Sequence, residues 1–330
     1  MSKKLNIQHP PITSYQHHTA ILSIPVHDKS YNDWIYYQYI QLFAVVESGR
    51  ISFFDFYPTN YIFDSTPWVR TEKMNKDDLD KTDIVKFIME SINQDKYVYI
   101  VLECSEILAH NTPNKSFPHP IIIYGYNSDT QTFYISDFFN SVYSFQEASF
   151  NEIRMGYERY MSSSFWWEGA KLITYTERPR TNTAVTSEMY KSILLDYMDA
   201  TERADYFLDY GDDVEHFIHS VPEFGVGFSI YQNIIDNLTN RLYLDYRILP
   251  ILTDHKKNLC NLILSLKRKG ALSPAHPDFT DILHKTKIAR NLFIKASITH
   301  VTNSRHRLVD LILQIRELEH EAMFKLIRAL

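Results

Sequence analysis

A cysteine, a histidine and an aspartate lie at the ends of three consecutive predicted strands. Together these residue types can carry out covalent acyl transfer. Segments rich in β-branched and aromatic residues predict strands over 97–103, 121–127 and 132–138. A polar NSDT turn makes the last two a hairpin. In an antiparallel meander, the end of the first strand lies beside the start of the second and the end of the third. Cys104, His119 and Asp137 then meet at one edge of the sheet.

These three residue types suit acyl transfer, although each also has an ordinary structural explanation. A carboxylate can orient a histidine, and the histidine can then deprotonate a thiol or polarise a water. Cys104 could equally be a small buried hydrophobe, His119 lies between two prolines at a strand start, and Asp137 could cap a turn. The pattern predicts which end of the sheet the residues share, and leaves open which face each side chain occupies.

Composition excludes several common classes of function. The chain has 330 residues with 23 Tyr and 20 Phe but only 8 Gly, and it contains no glycine-rich phosphate-binding motif. Its two cysteines are too few for a disulfide framework or a cysteine-based zinc site. The adjacent His17 and His18 lack a carboxylate three or four residues away, and neighbouring side chains face different ways. We therefore predict neither a metal site nor a cofactor.

Charge and hydropathy suggest a soluble, cytoplasmic chain that does not enter a membrane. No apolar run approaches 18 residues, and no signal peptide opens the sequence. The formal net charge is −6, but acidic residues dominate over 1–240 and basic residues over 241–330. This asymmetry favours a helical bundle with basic faces, which could pair within the chain or with an acidic partner. The basic residues lack interleaved aromatic platforms, so nucleic acid is not expected.

The sequence predicts an α+β protein with two domains. An antiparallel sheet domain is expected over 1–175, a polar linker over 176–187, and an all-helical domain over 188–330. Within the first domain, the pattern predicts a buried helix over 34–46, a strand over 51–57 and a capped amphipathic helix over 75–93. In the second domain, two polar pairs are interpreted as helix-surface residues: Asp254 with His255, and His216 with His219.

Two stretches carry a resemblance to a known family. The sequence HPIIIYGYNSDTQTFYISDFF (119–139) resembles the His-to-Asp half of the butirosin biosynthesis protein H N-terminal domain family. The sequence LDYRILPILTDHKKNLCNLILSL (244–266) is similar to the Asp-x-Arg…Glu-His-Lys helix of the same family. The likeness covers most of the chain, through short motifs.

The resemblance implies a papain-like fold and a thioester-dependent, amide-forming acyltransferase. In that family an acyl group moves from a carrier-protein phosphopantetheine thioester to an amine, through a cysteine, often beside nonribosomal peptide or polyketide assembly lines of antibiotic biosynthesis. His119 would be the general base and Asp137 its orienting carboxylate. The implied partners are an acidic acyl or peptidyl carrier protein and a small-molecule amine or peptide. Gln16, His18 and Tyr124 are the candidate substrate-binding residues, with Gln16 a candidate oxyanion-hole donor.

The sequence departs from the family at the nucleophile. The family places its cysteine at the start of an N-terminal helix, where the helix dipole lowers the thiol pKa. Here the matching stretch SYQHHTAILS (14–23) has His18 at that position. Three hypotheses remain. Cys104 has become the nucleophile, or the His119–Asp137 pair activates the amine directly without a thiol, or the chain is a pseudoenzyme that binds a peptide, a small molecule or an assembly-line partner.

Overall fold

The structure, a computed structural model, confirms the α+β class. It describes residues 2–56, 62–112, 115–160, 168–201, 224–240, 245–273, 276–299 and 304–330. The strands are β1 (Ser2–Lys4), β2 (Leu42–Glu47), β3 (Arg50–Phe56), β4 (Val69–Met74), β5 (Lys96–Glu103), β6 (Pro118–Asn127), β7 (Thr132–Phe139), β8 (Val142–Ser149), β9 (Ala170–Tyr175) and β10 (Phe224–Val226).

Helices dominate the C-terminal region, as expected from the sequence. They are α1 (Gln16–Leu22), α2 (Tyr31–Gln38), α3 (Ile62–Ser65), α4 (Lys76–Leu79), α5 (Ile84–Asn93), α6 (Phe150–Arg159), α7 (Ser187–Met198), α8 (Ile230–Thr239), α9 (Ile248–Arg268), α10 (Thr280–Thr299) and α11 (Ser304–Ala329). Among the helices of the described ranges, none is both long enough and apolar enough to cross a membrane.

The chain divides into two compact units. The first unit comprises Met1–His27 and Ile62–Thr181, and the second comprises Asp28–Tyr61 and Asn182–Leu330. The change at 181–182 falls within the predicted linker over 176–187. The segment 28–61, which the sequence analysis placed in the first domain, belongs to the second unit. There β2 pairs with both β3 and β10, so the second unit also contains a three-stranded sheet.

The first unit is built on an antiparallel sheet of seven strands in its described part. The strand order is β4-β9-β5-β6-β7-β8, and β1 adds to the end of β6. The predicted meander of β5, β6 and β7 is confirmed, and so is the hairpin between the last two strands. Alternate residues of a strand point to opposite faces. One face therefore packs Val98, Ile100 and Leu102 of β5 against the apolar side of α5, while α1 contacts β6 and β7.

Two of the predicted elements are different in the structure. The helix predicted over 34–46 is wrong in its second half: α2 ends at Gln38, and Leu42–Glu47 form β2. Short apolar runs are compatible with a helix or a strand, and here pairing with β3 and β10 stabilises the strand.

The helix predicted over 75–93 is interrupted. Asp83 caps a new helix there, because its Oδ1 accepts hydrogen bonds from the backbone N–H groups of Val85 (2.9 Å) and Lys86 (3.1 Å).

A close backbone approach at Gly169 leads to the first prediction. Gly169 precedes β9 with φ +93°, and a Cβ there would lie 2.0 Å from the carbonyl oxygen of Met74. We expect Gly169→Ala to lower the free energy of unfolding by roughly 3 kcal/mol, because steric overlap adds to an unfavourable φ. Gly49→Ala is the matched control: its φ is +75°, with no atom within 4 Å. Urea unfolding of both variants checks the difference, and equal losses would contradict the steric explanation.

The second unit encloses a charged pair without exposure to solvent. Lys256 of α9 and Glu319 of α11 are both 0% exposed, with Nζ 2.6 Å from Oε1. Tyr197 donates its hydroxyl to Oε1 at 3.1 Å, and the hydroxyl of Tyr231 donates to Oε2. The Lys256 ammonium also donates to Nδ1 of His255 at 2.8 Å. Burial lowers the pKa of Lys256, although Glu319 counteracts part of that effect.

The polar pair Asp254 and His255 was predicted to lie on a helix surface, and this prediction is wrong. Both are buried, and His255 donates from Nε2 to the carbonyl oxygen of Ile40 at 2.8 Å. Burial, followed by the charge of Lys256, lowers the pKa of His255 well below its usual value, so its imidazole is neutral. The pair His216 and His219 lies outside the described residues.

Candidate functional site

His119 and Asp137 form a hydrogen-bonded pair where two neighbouring inner strands of the first unit's sheet begin and end. His119 lies near the start of β6 and Asp137 near the end of β7, and Nδ1 is 2.8 Å from Oδ2. The Asp137 side chain is fully buried, whereas the His119 side chain is 24% exposed. Within the described residues Nδ1 is the hydrogen-bonded nitrogen of this ring, so an ionised Asp137 keeps the proton on Nδ1. The Nε2 lone pair is then available as a base.

An aromatic side chain holds the His119 ring from one side. Phe117 stacks on it with ring centroids 5.2 Å apart and planes inclined by 12°. Stacking on Phe117 therefore sets the plane of the His119 ring. The hydrogen bond to Asp137 sets the direction in which Nδ1 points within that plane. Such double restraint favours a single imidazole orientation, which general-base catalysis requires.

The segment from Cys104 to Phe117 is tied at both ends by Glu103. The Glu103 carboxylate accepts hydrogen bonds from the Phe117 N–H (2.6 Å), the Ser116 hydroxyl (2.7 Å) and the Ser105 hydroxyl (2.6 Å). Burial opposes ionisation of Glu103, but these bonds outweigh it and lower its pKa. The backbone N–H of Cys104 also donates to the carbonyl of Phe117 at 2.9 Å. We name this segment, 104–117, the clasped loop.

The clasped loop brings two further side chains to Asp137. Cys104 begins its first 3-10 turn and His110 ends its second. The Cys104 sulfur, a His110 ring nitrogen and an Asp137 carboxylate oxygen all lie within 4.8 Å of one another. Nε2 of His110 is 3.4 Å from Oδ2 of Asp137 without making a hydrogen bond. The side chains of His119, Asp137 and Cys104 therefore share one sheet edge, as the sequence predicted, and His110 joins them.

The Cys104 thiol is in an environment that keeps it protonated. Its side chain is 0% exposed, and it donates to the carbonyl oxygen of His119 (3.4 Å), not to the imidazole. Burial, followed by the nearby carboxylates of Asp137 and Glu103, raises its pKa well above the usual value. A reactive cysteine has the opposite surroundings, electropositive and accessible.

These surroundings predict slow alkylation of Cys104. With iodoacetamide at pH 8, we expect the folded chain to leave Cys104 unmodified, while the unfolded chain in guanidinium reacts at once. Cys260, whose pKa burial raises to about 11, serves as the internal comparison. Peptide mass spectrometry after a timed quench measures both sites. Faster labelling of Cys104 than of a free thiol would contradict the environment described here.

Helix α1, which carries the candidate residues Gln16 and His18, packs on the sheet face opposite to the one that carries Asp137. The Tyr143 hydroxyl donates to Oγ of Ser136 at 3.0 Å. Burial raises the pKa of Tyr143, and the nearby hydroxyls of Ser23, just after α1, and Thr19, within α1, counteract part of that effect. The Ser136 side chain therefore faces α1, and the next residue, Asp137, faces away from it. Gln16 reaches the backbone of Ser136, with Nε2 3.4 Å from its carbonyl oxygen.

The predicted binding residues are thus not gathered around the pair of His119 and Asp137. His18 is buried in α1 and packs its ring against His17 at 4.1 Å between centroids. Tyr124 is 2% exposed and contacts Tyr134 and Phe145. Sequence reasoning missed His110. One feature of the sequence could have identified it. His110 lies in the connection between two predicted strands, and the ends of those strands already carry Cys104 and His119.

The sequence matches no protein-family model and no curated protein.

Proposed function

We propose that the chain is an acyltransferase in which His119 and Asp137 activate an amine for direct attack on a thioester. The observation that carries this proposal is the 2.8 Å bond between a fully buried carboxylate and a partly exposed imidazole. Burial fixes Asp137 in place, and exposure lets a substrate reach His119. A carboxylate–histidine pair of this kind contributes general-base catalysis.

The reaction needs no covalent intermediate on the chain. Nε2 of His119 removes a proton from the amine as its nitrogen attacks the thioester carbonyl. A C–N bond forms, the C–S bond breaks, and the departing thiolate receives the proton from the imidazolium. Asp137 stabilises the transient positive charge on the ring. The products are an amide and a free thiol, so atoms and charges balance.

The protonated, enclosed thiol of Cys104 argues against the covalent version of this chemistry. A nucleophilic cysteine needs a base within hydrogen-bonding reach, and the Cys104 thiol donates to the backbone of His119. The thiol-free hypothesis therefore fits the pair better than a relocated nucleophile.

The donor class follows from the family resemblance and the charge pattern. A phosphopantetheine thioester on an acidic carrier protein would suit the excess of basic residues over 241–330. Binding to such a carrier should then weaken steeply as salt rises, because screening acts on exposed charges.

A second candidate function is binding without catalysis. It is favoured by the position of α1, whose Gln16 and His18 lie across the sheet from Asp137. In this alternative, the chain binds a peptide, a small amine or an assembly-line partner.

Incubation with a panel of acyl-pantetheine thioesters and amines tests the proposal. We expect amide and free pantetheine to accumulate while intact-protein mass spectrometry detects no acyl adduct. His119→Ala should abolish the product, and His284→Ala, at an exposed histidine, should not. An adduct on Cys104 would contradict the thiol-free mechanism. Absence of product, with saturable carrier binding, would favour the binding alternative.

A further inference from the structure

The cluster below His119 contains buried polar atoms that lack partners. Among the described residues, Nε2 of His110 and Oδ1 of Asp137 are buried without a hydrogen bond. The His110 side chain is 2% exposed and that of Asp137 is 0% exposed. A buried polar atom without a partner has lost its hydrogen bonds to water and gained none in the folded chain, which is unfavourable. Two such atoms beside one thiol therefore call for an explanation.

The three side chains have the chemistry of a transition-metal site. Thiolate, imidazole and carboxylate are the ligand types of Zn²⁺, whereas Mg²⁺ and Ca²⁺ prefer oxygen atoms alone. Zinc bonds of about 2.0–2.3 Å place tetrahedral ligand atoms roughly 3.3–3.8 Å apart. The atoms of Cys104, His110 and Asp137 already lie within 4.8 Å of one another. Small shifts of these side chains would bring three ligand atoms to one ion, and a water would take the fourth tetrahedral position.

We propose that Cys104, His110 and Asp137 bind one Zn²⁺ ion through Sγ, Nε2 and Oδ1. The two atoms without partners become ligands in this arrangement. Oδ2 of Asp137 keeps its bond to Nδ1 of His119, so His119 supports the ligand from outside the metal's coordination sphere. Binding of the ion displaces the proton that Cys104 carries in the metal-free chain. The charge of the ion then balances the Asp137 carboxylate and the Cys104 thiolate, leaving no net charge at these three groups.

The surroundings of the cluster suit a metal that is held permanently. Phe139 and Phe117 pack against the His110 ring, with centroids 4.7 Å and 5.5 Å away. Glu103 closes the clasped loop and so holds Cys104 and His110 near Asp137. An apolar shell and a restrained ligand loop both strengthen metal binding. The partly exposed His119 marks the side from which an ion could enter.

Metal content tests this proposal without reference to acyl transfer. The chain, prepared without a histidine tag, is stripped with a chelator and titrated with Zn²⁺ against a chromophoric competitor. We expect one zinc per chain, with affinity reduced more than about 100-fold in Cys104→Ala and His110→Phe and about 10–100-fold in His119→Ala. Cys260→Ala is the matched cysteine control and should bind as wild type does. Zinc content equal to the buffer blank would overturn the proposal and leave an ordered water as the partner of the buried atoms.

Cobalt substitution of the wild-type chain gives a reading that does not depend on any variant folding, and two variants then assign the signal. Co²⁺ bound to a thiolate absorbs strongly in the near ultraviolet, so wild type and Cys260→Ala should both show this band. A cobalt complex of wild type without the band would place the metal on other histidines and refute the site. A band that survives in Cys104→Ala would assign it to Cys260, with the same consequence. Because no acyl substrate is used, failure here leaves the proposed acyl transfer untouched.

Discussion

Asn in place of Asp137 is expected to lower the rate of amide formation by about 10²–10⁴-fold. The amide nitrogen of an asparagine donates to Nδ1 of His119, whereas the Asp137 carboxylate accepts a hydrogen bond from Nδ1–H at 2.8 Å. The ring then carries its proton on Nε2, the nitrogen that must act as base. Steady-state rates with an acyl-pantetheine donor and a saturating amine measure the loss. Activity within twofold of wild type would contradict the role given to Asp137.

Two comparisons separate lost basicity from lost structure. Asp310→Asn makes the same change at an exposed position and should keep full activity. His119→Ala removes a partly exposed ring, so added imidazole should restore part of its rate, whereas it should not restore Asp137→Asn. Zinc content measured on the same samples distinguishes a tautomer effect from the loss of a metal ligand.

Removal of the Glu319 side chain is expected to lower the free energy of unfolding by about 3–5 kcal/mol. Glu319→Ala leaves the Lys256 ammonium at 0% exposure with His255 as its remaining partner in the cluster. The hydroxyls of Tyr197 and Tyr231 lose their acceptor as well. Urea unfolding followed by tryptophan fluorescence and by far-ultraviolet circular dichroism measures the change. Both probes are needed, because two compact units need not unfold together.

A double variant shows whether the buried charge causes this loss. Lys256→Met with Glu319→Gln removes both charges and keeps hydrogen-bond partners for the two tyrosines, since the amide oxygen can accept from one hydroxyl and the amide NH2 can donate to the other. Its loss of stability should be at least about 2 kcal/mol smaller than that of Glu319→Ala. Equal losses would indicate that packing around α11, and not an unpaired ammonium, accounts for the effect.

The local pattern of the sequence predicted the sheet edge that carries the candidate site. Segments rich in β-branched and aromatic residues located β5, β6 and β7, and the polar turn required the hairpin that sets Asp137 beside His119. These features depend on local composition and on one short turn. Side-chain direction in a strand follows from register, and a single sequence does not fix the register of every neighbouring strand.

The missed features depend on contacts between distant segments. Leu42–Glu47 is a strand because it pairs with β3 and β10, and the latter lies almost two hundred residues away. His110 turns inward because the Glu103 carboxylate gathers both ends of the clasped loop. The sequence shows an acidic residue at a strand end, but not which backbone groups it binds. The position of α1 opposite Asp137 likewise depends on a distant contact, in which Nε2 of Gln16 donates to the carbonyl oxygen of Ser136.

The place of β9 in the strand order has a consequence for synthesis on the ribosome. Among the described strands, β9 lies between β4 and β5, so β4 joins its sheet through a strand that emerges some seventy residues after β5. A nascent chain that ends before Ala170 has β5 through β8 available for pairing, with one side of β5 still unpaired. Exposed strand edges recruit other chains. Truncations in this interval should therefore aggregate or engage chaperones, and release from them should coincide with the appearance of 170–175 outside the exit tunnel.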